Sequence, residues 1–290
     1  MQTVTLISAP GKLDGAAVSA LRNAWGGGEI RVLSSSEAAC FDMPEVPANR
    51  WDVWDSFQQQ GVDLLVQPAG NLRRKMLLAD MDSTLIQQEC IDELAAEAGV
   101  GAQVADITAR AMNGELEFEG ALKERVALLK GLPVSIIDKV LSERITYMPG
   151  GRTLVATMKA NGAFAMLVSG GFTAFAAQVA DALGMDAHRA NTLHVDGDVL
   201  AGTVAEPILG RDAKVESLKD RAAQLGISEA DVLAVGDGAN DLGMLSLAGT
   251  GVALHAKPAV QAQCDLRINH GDLTALLFLQ GYARDAFVTD

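Results

Sequence analysis

The chain is short of cysteine, of basic residues and of long apolar runs. Its 290 residues include three cysteines, Cys40, Cys90 and Cys264, spaced far apart, with no CxxC pair and no Cys/His cluster at zinc spacing. That excludes a disulfide scaffold or a thiolate metal site and fits a reducing, cytoplasmic compartment. Lysine and arginine number 23 against 37 aspartates and glutamates, for a net charge of −14. So acidic a chain excludes a nucleic-acid backbone or an anionic membrane as partner. No stretch approaches the ~18 uninterrupted apolar residues of a membrane span. The N-terminus lacks the basic start and apolar run of a signal peptide. What is present is an ordinary globular balance, 49% hydrophobic and 21% charged, enough to bury a core in one large domain or two smaller ones.

Residues 1 to about 70 read as a small unit. "TVTLISA", "EIRVLS", "AACFDM" and "VDLLVQP" are strand-like, and helical patterns occupy 13–25 and "NRWDVWDSFQQQG". The order β-α-β-β-α-β predicts a split βαβ sandwich, with Trp25, Trp51 and Trp54 packing it. The basic stretch "NLRRK" then reads as a linker. Strands are predicted at 76–80, 164–168, 187–191, 231–235, 250–253 and 266–268, mostly alternating with helices, which argues for a parallel sheet covered on both faces. Residues 88–148 break the rhythm with helical patterns only, a helical cap inserted after the first of these strands. "TLHVDGDVLAGTV" predicts a hairpin turning at Asp196-Gly197.

Three strand ends carry polar groups. Asp80 and Asp82 follow the apolar run Met76–Ala79, Ser169 follows "AMLV", and Asp237 and Asp241 sit in "VLAVGDGANDLGML". Ligands bind outside the carboxyl ends of strands in open α/β sheets. Four carboxylates brought together repel and call for a cation, and oxygen ligands of this kind suit Mg²⁺. Ser169-Gly170-Gly171 ahead of "FTAFAAQVADALG" offers an anion site at a helix N-terminus, and Lys214 in "GRDAKVESL" offers a positive charge. Singly these motifs are weak; a DxDxT match arises by chance in about one chain in twenty of this length at average composition. Their order carries the argument.

"DMDST", "VSGG", the lysine and "GDGAND", in that order, resemble the haloacid dehalogenase superfamily of phosphatases, over about residues 75–280. Within it, "DSTLIQQECIDELA" and "MNGELEFEGALKERVALLKGLP" are similar to the phosphoserine phosphatase family. The resemblance implies an α/β protein: a Rossmann-like parallel-sheet core (73–87 and 149–290), a helical cap (88–148) and a small N-terminal α+β, ACT-like βαββαβ domain (1–72). It implies Asp80 as nucleophile, forming an aspartyl-phosphate, and Asp82 as general acid and then base. It implies Mg²⁺ held by Asp80, the Asp82 backbone carbonyl and Asp237, with Asp241 and Thr84 in support. Ser169, Gly170 and Lys214 would stabilise the phosphate oxygens, and Asn240 would orient Lys214 or the phosphate. Glu89 and Arg125 would take the ammonium and carboxylate of an amino-acid phosphate, and Met112 and Phe118 would close over it. The implied activity is Mg²⁺-dependent hydrolysis of O-phospho-L-serine in the cytoplasm, and the resemblance allows a homodimer. A close analogue such as phosphohomoserine is the alternative substrate. A phospho-accepting receiver domain also clusters aspartates, but it carries neither a cap nor a second aspartate like Asp82.

Overall fold

The computed structural model describes residues 1–112 and 115–289, apart from the side chain of Met112. The chain opens with β1 (Gln2–Ser8), α1 (Gly15–Ala24), β2 (Arg31–Ser34), β3 (Ala38–Met43), α2 (Arg50–Gln58) and β4 (Val62–Pro68). These strands make an antiparallel sheet ordered β2-β3-β1-β4, the expected split βαβ arrangement. Val4, Leu6, Phe41 and Leu64 line one face, beneath Val18 and Leu21 of α1 and Phe57 of α2. Trp25 is buried in the same cluster, with Trp54 partly buried against it.

After β5 (Met76–Ala79) come α3 (Cys90–Glu97), α4 (Gly101–Met112), α5 (Phe118–Ala127) and α6 (Ile136–Glu143), then α7 (Gly151–Ala160). The chain continues through β6 (Phe164–Phe172), α8 (Thr173–Leu183), β7 (Ala187–Asn191), β8 (Leu193–Asp196), β9 (Val199–Val204), α9 (Arg211–Leu225) and β10 (Val232–Gly236). It ends with α10 (Leu242–Leu247), β11 (Thr250–Leu254), α11 (Pro258–Gln261), β12 (Leu266–Ile268) and α12 (Ala275–Leu279). A six-stranded parallel sheet is ordered β12-β11-β10-β5-β6-β7. Leu77, Ala79, Leu167 and Val235 face one layer, and Met76, Leu78, Met166 and Ala234 face the other. Strands buried on both faces read as unbroken apolar runs, which is why they stood out in the sequence. Among the described residues, no helix is long and apolar enough to cross a membrane.

β5 is central, and successive crossovers run to opposite sides of it, to β6 and to β10. The polar residues therefore meet at the switch point where such sheets bind ligands. Helices α3–α6 pack on one another beside this edge, and the hairpin β8–β9 packs against α5. The expected hairpin forms, turning one residue later than Asp196-Gly197, at Gly197-Asp198: Asp196 pairs with Val199, and Gly197 takes φ +59°. One strand differs from expectation. β6 does not stop at residue 168 but runs on through Ser169-Gly170-Gly171, with a register shift, until Phe172 pairs with Asn191. The serine and glycines thus lie in extended backbone rather than at a helix N-terminus; α8 begins at Thr173.

The other face of the small sheet is covered by the end of the same chain. Ile7, Cys40 and Leu65 share a core with Leu276, Phe278 and Tyr282. Asp63 of β4, fully buried, accepts the backbone N–H groups of Asn269, His270 and Gly271 at 2.8–3.3 Å. Gln67 donates to the Leu279 carbonyl at 2.6 Å.

Candidate active site

Register places the acids. Ala79 of β5 is level with Val235 of β10 and with Leu167 of β6. Asp80 and Asp237 therefore leave β5 and β10 at one edge, beside Ser169 on β6. Asp80 keeps the sheet going for one more bond, its N–H donating to the Val235 carbonyl at 3.0 Å. Gly236 must lack a side chain, because a Cβ there would run into the Asp241 carboxylate folded back beneath it. That fold-back lets Asp241 Oδ2 accept the N–H groups of Asp237 and Gly238 at 3.1 and 3.0 Å.

Lys214, in the first turns of α9, is fully buried. Its Nζ bonds Asp80 Oδ1 at 2.8 Å and Asp241 Oδ1 at 2.6 Å. Burial works against its charge, but Asp241 and Asp80 outweigh burial and raise its pKa. Lys214 is oriented by these two carboxylates and not by Asn240, whose Oδ1 is buried without a partner among the described residues and whose Nδ2 faces Gly170. Asp82 turns the other way. Its Oδ1 accepts the Cys90 N–H at 3.0 Å, at the start of α3, and Ser169 Oγ reaches Oδ2 at 3.4 Å. Ser169 Oγ in turn accepts from Gly171 N at 2.8 Å.

Burial dominates the electrostatics. It pushes Asp80 well above the usual carboxylate range, with the charge of Asp241 adding to it. It does the same to Asp237, helped by Glu89, and it raises Asp82. Among the described residues one buried ammonium, Lys214, stands with four buried carboxylates, Asp80, Asp82, Asp237 and Asp241. Oxygens of Asp80, Asp237 and Asp241 lie within 4.8 Å of one another. Asp237 Oδ2 is buried with no hydrogen-bond partner among the described residues; Lys257 Nζ stands 4.0 Å away, and Thr84 reaches only the other oxygen, at 3.4 Å. An orphaned buried carboxylate oxygen in a ring of acids fits a divalent cation, the hard-oxygen donor set of Mg²⁺-type sites. The cluster that could hold a metal thus includes the Asp241 side chain, while the Asp82 side chain points elsewhere.

The helices above the edge supply the rest. Asp80, Asp82, Gly170, Gly171 and Asn240 line one cavity together with Glu89, Phe118 and Arg125. Phe118 opens α5 and lies over Gly170, where an added Cβ would come within 2.6 Å of its ring. Glu89 takes the Ser83 hydroxyl at 2.7 Å, and Ser83 holds a left-handed φ of +54° to deliver it. Burial, then the charge of Asp82, pushes Glu89 up to about 7. Arg125 is 5% exposed; burial lowers its pKa, against the charges of Glu89 and Asp92. The side chain of Met112 lies outside the described residues. Sequence reasoning missed Ser83, Thr108, Asp92 and Lys257. Of these, only Thr108 left a signal, a polar residue within the apolar stripe of α4.

A parallel α/β sheet with paired aspartates at its switch point and helices closing over them defines a hydrolase of the cation-assisted, acid-cluster class. The model of the haloacid dehalogenase-like hydrolases matches residues 77–246, and the chain belongs to that family. A probable phosphoserine phosphatase of Schizosaccharomyces pombe is 46% identical over 211 residues, 72% of this chain and 70% of the relative. Against two further curated relatives the matched segment spans only 55% and 56% of their lengths. Among solved structures, a HAD family hydrolase from Salmonella enterica subsp. enterica serovar Typhi superposes with a TM-score of 0.84 at 30% identity, covering 98% of both chains. A phospho-aspartyl intermediate analogue of phosphoserine phosphatase gives 0.68 at 41% identity, covering 71% of this chain and 98% of that one.

Proposed function

We propose that the protein is a phosphomonoesterase that hydrolyses O-phospho-L-serine to L-serine and phosphate. The observation that carries this reading is the shared cavity: an anion, Glu89, and a cation, Arg125, look onto the same space as Asp80 and Asp82. A zwitterionic amino acid needs such a pair, and the planar fork of arginine suits its carboxylate. The relatives' names support the substrate class.

Asp80 attacks phosphorus through a carboxylate oxygen, the bond to the serine oxygen breaks, and an aspartyl-phosphate forms. Asp82 gives its proton to the leaving serine oxygen, then takes one from the water that attacks the phosphorus and frees Asp80. A raised pKa suits Asp82 to holding that proton near neutrality, and its bond to Cys90 N fixes the carboxyl beside Ser169. Lys214 holds Asp80 in place and balances charge as it shifts onto the phosphoryl oxygens. Ser169, Gly170 and Asn240 line the phosphoryl position. Phe118 closes the cavity and keeps water out. Asp80 and Asp237, with Asp241 and the Asp82 backbone in support, would hold Mg²⁺, which when bound neutralises the approach of a carboxylate to a phosphate dianion. The same reading makes this a cytoplasmic enzyme of serine formation.

The test is phosphate release from phosphoserine, phosphothreonine and generic phosphate esters in the presence of Mg²⁺. Phosphoserine is expected to be turned over fastest, and Asp80→Asn to lose turnover while keeping the fold. Equal rates across the esters would defeat the assignment.

A further inference from the structure

The guanidinium of Arg125 does not stand alone at the cavity wall. Its Nε donates to the Ala121 carbonyl, one turn back on α5, at 3.0 Å. Its Nη1 donates to Thr108 Oγ1 on α4 at 3.0 Å. Thr108 Oγ1 in turn donates to Asp92 Oδ1 on α3 at 2.6 Å. Three helices thus contribute to one line of bonds, and Thr108 at its centre is 3% exposed.

The direction of this line matters. A threonine hydroxyl has one proton and two lone pairs. The short bond to Asp92 takes the proton, so the lone pairs are left to face Arg125. With Nε and Nη1 both held, the plane of the guanidinium is fixed. An arginine side chain gives up rotamer freedom when it engages a ligand, and a fork already set in place loses less of it on binding. The negative charge of Asp92 also offsets the burial that works against the Arg125 charge. The charge of Glu89 offsets that burial more strongly still, but Glu89 is held by a different hydrogen bond, from Ser83. The two halves of the amino-acid site are therefore oriented by separate hydrogen bonds.

We infer that Thr108 and Asp92 are positioning residues for substrate selection: they hold Arg125 so that it accepts a substrate carboxylate, and they contribute nothing to the phosphoryl chemistry. This rests on the reading of the protein as a phosphatase for an amino-acid phosphate. Phosphoserine and O-phosphoethanolamine separate the two ideas, because phosphoethanolamine keeps the phosphate and the ammonium and lacks only the carboxylate.

The experiment is steady-state kinetics on both esters with the native enzyme, Thr108→Val, Thr108→Ser and Asp92→Asn, each checked for cooperative melting. In Thr108→Val the KM for phosphoserine is expected to rise roughly tenfold or more, the scale of a lost bond to a charged group. Its kcat should change little, and the kinetics of phosphoethanolamine should stay within about twofold of native. Thr108→Ser restores the hydroxyl and is expected to return phosphoserine to near-native KM. Asp92→Asn should show the same selectivity with a smaller loss, and it carries the test alone if Thr108→Val does not fold. Equal losses on both esters, or no rescue by serine, overturn the inference. A native enzyme that fails to prefer phosphoserine over phosphoethanolamine overturns the substrate assignment itself, before any variant is measured.

Discussion

Replacing Lys214 by methionine keeps the aliphatic stem and deletes the charge. The ammonium is fully buried, 2.8 Å from Asp80 and 2.6 Å from Asp241. Removing one member of a buried ion pair costs about 3–5 kcal/mol, because the partner stays behind unpaired. Here the loss has a ceiling, since an unpaired carboxylate can take up a proton. Keeping one carboxyl neutral in the folded chain costs about 1.4 kcal/mol for every pH unit above its ordinary value of about 3.9. That is about 5 kcal/mol at pH 7.5 and about 2 kcal/mol at pH 5.5. In the native protein Lys214 opposes the upward push of burial and of Asp241 on Asp80, so with the ammonium gone Asp80 is the first candidate for that proton. The folded variant then holds one more proton than the unfolded chain, so its stability falls as pH rises through this window. The native contribution of Lys214 keeps a constant value there. Its pKa is raised by folding, so its stabilisation is complete below the ordinary lysine value of about 10.4. Urea unfolding in the presence of EDTA, with and without the substitution, at the two pH values reads the difference. The defect should shrink by about 2.7 kcal/mol on going from pH 7.5 to 5.5. A defect of the same size at both would show that the lost term is packing and not charge.

Three further outcomes follow from other parts of the molecule. Glu89 is pushed up to about 7 by burial and by Asp82, so it is neutral below that pH and releases the substrate ammonium. The KM of phosphoserine should therefore climb as pH falls from about 8 to 6, and Glu89→Gln should flatten that limb; a flat native profile would refute the role. Gly170→Ala would set a methyl group 2.6 Å from the Phe118 ring, lifting the ring from the cavity. Kinetics should show a raised KM and lowered kcat with unchanged melting, and native kinetics would mean that Phe118 is not held there. Asp63→Ala strips three backbone N–H groups of a buried acceptor and should cost about 3 kcal/mol or more in denaturant titration. A change within ~0.5 kcal/mol, the range of ordinary surface substitutions, would show that the small sheet is not tied to the core through this carboxylate.

What the sequence made legible is local. Asp80, Ser169 and Asp237 each follow an apolar run, and an apolar run buried on both faces of a parallel sheet needs no distant partner to be recognised. Order alone marks Lys214, and its partners, Asp80 and Asp241, lie beyond β5 and β10, outside its own segment. The end of β6 is hidden from the sequence for a related reason. Ser169-Gly170-Gly171 has turn composition, yet pairing carries on to Asn191 of β7, and tertiary pairing overrode local preference. The least legible features are those built between elements far apart in sequence. Thr3 and Thr5 alternate with Val4 and Leu6, a pattern that normally marks one wet face. Both threonines are buried, because residues 275–282 fold over that face. Arg125 shows the same division within one residue. Its charge was visible as a candidate carboxylate partner, whereas its orientation depends on Thr108 and Asp92, which lie on two other helices. Composition and spacing therefore reveal which groups are available for chemistry. How tightly they are held, and so how sharply a substrate is selected, is decided by contacts that no single segment contains.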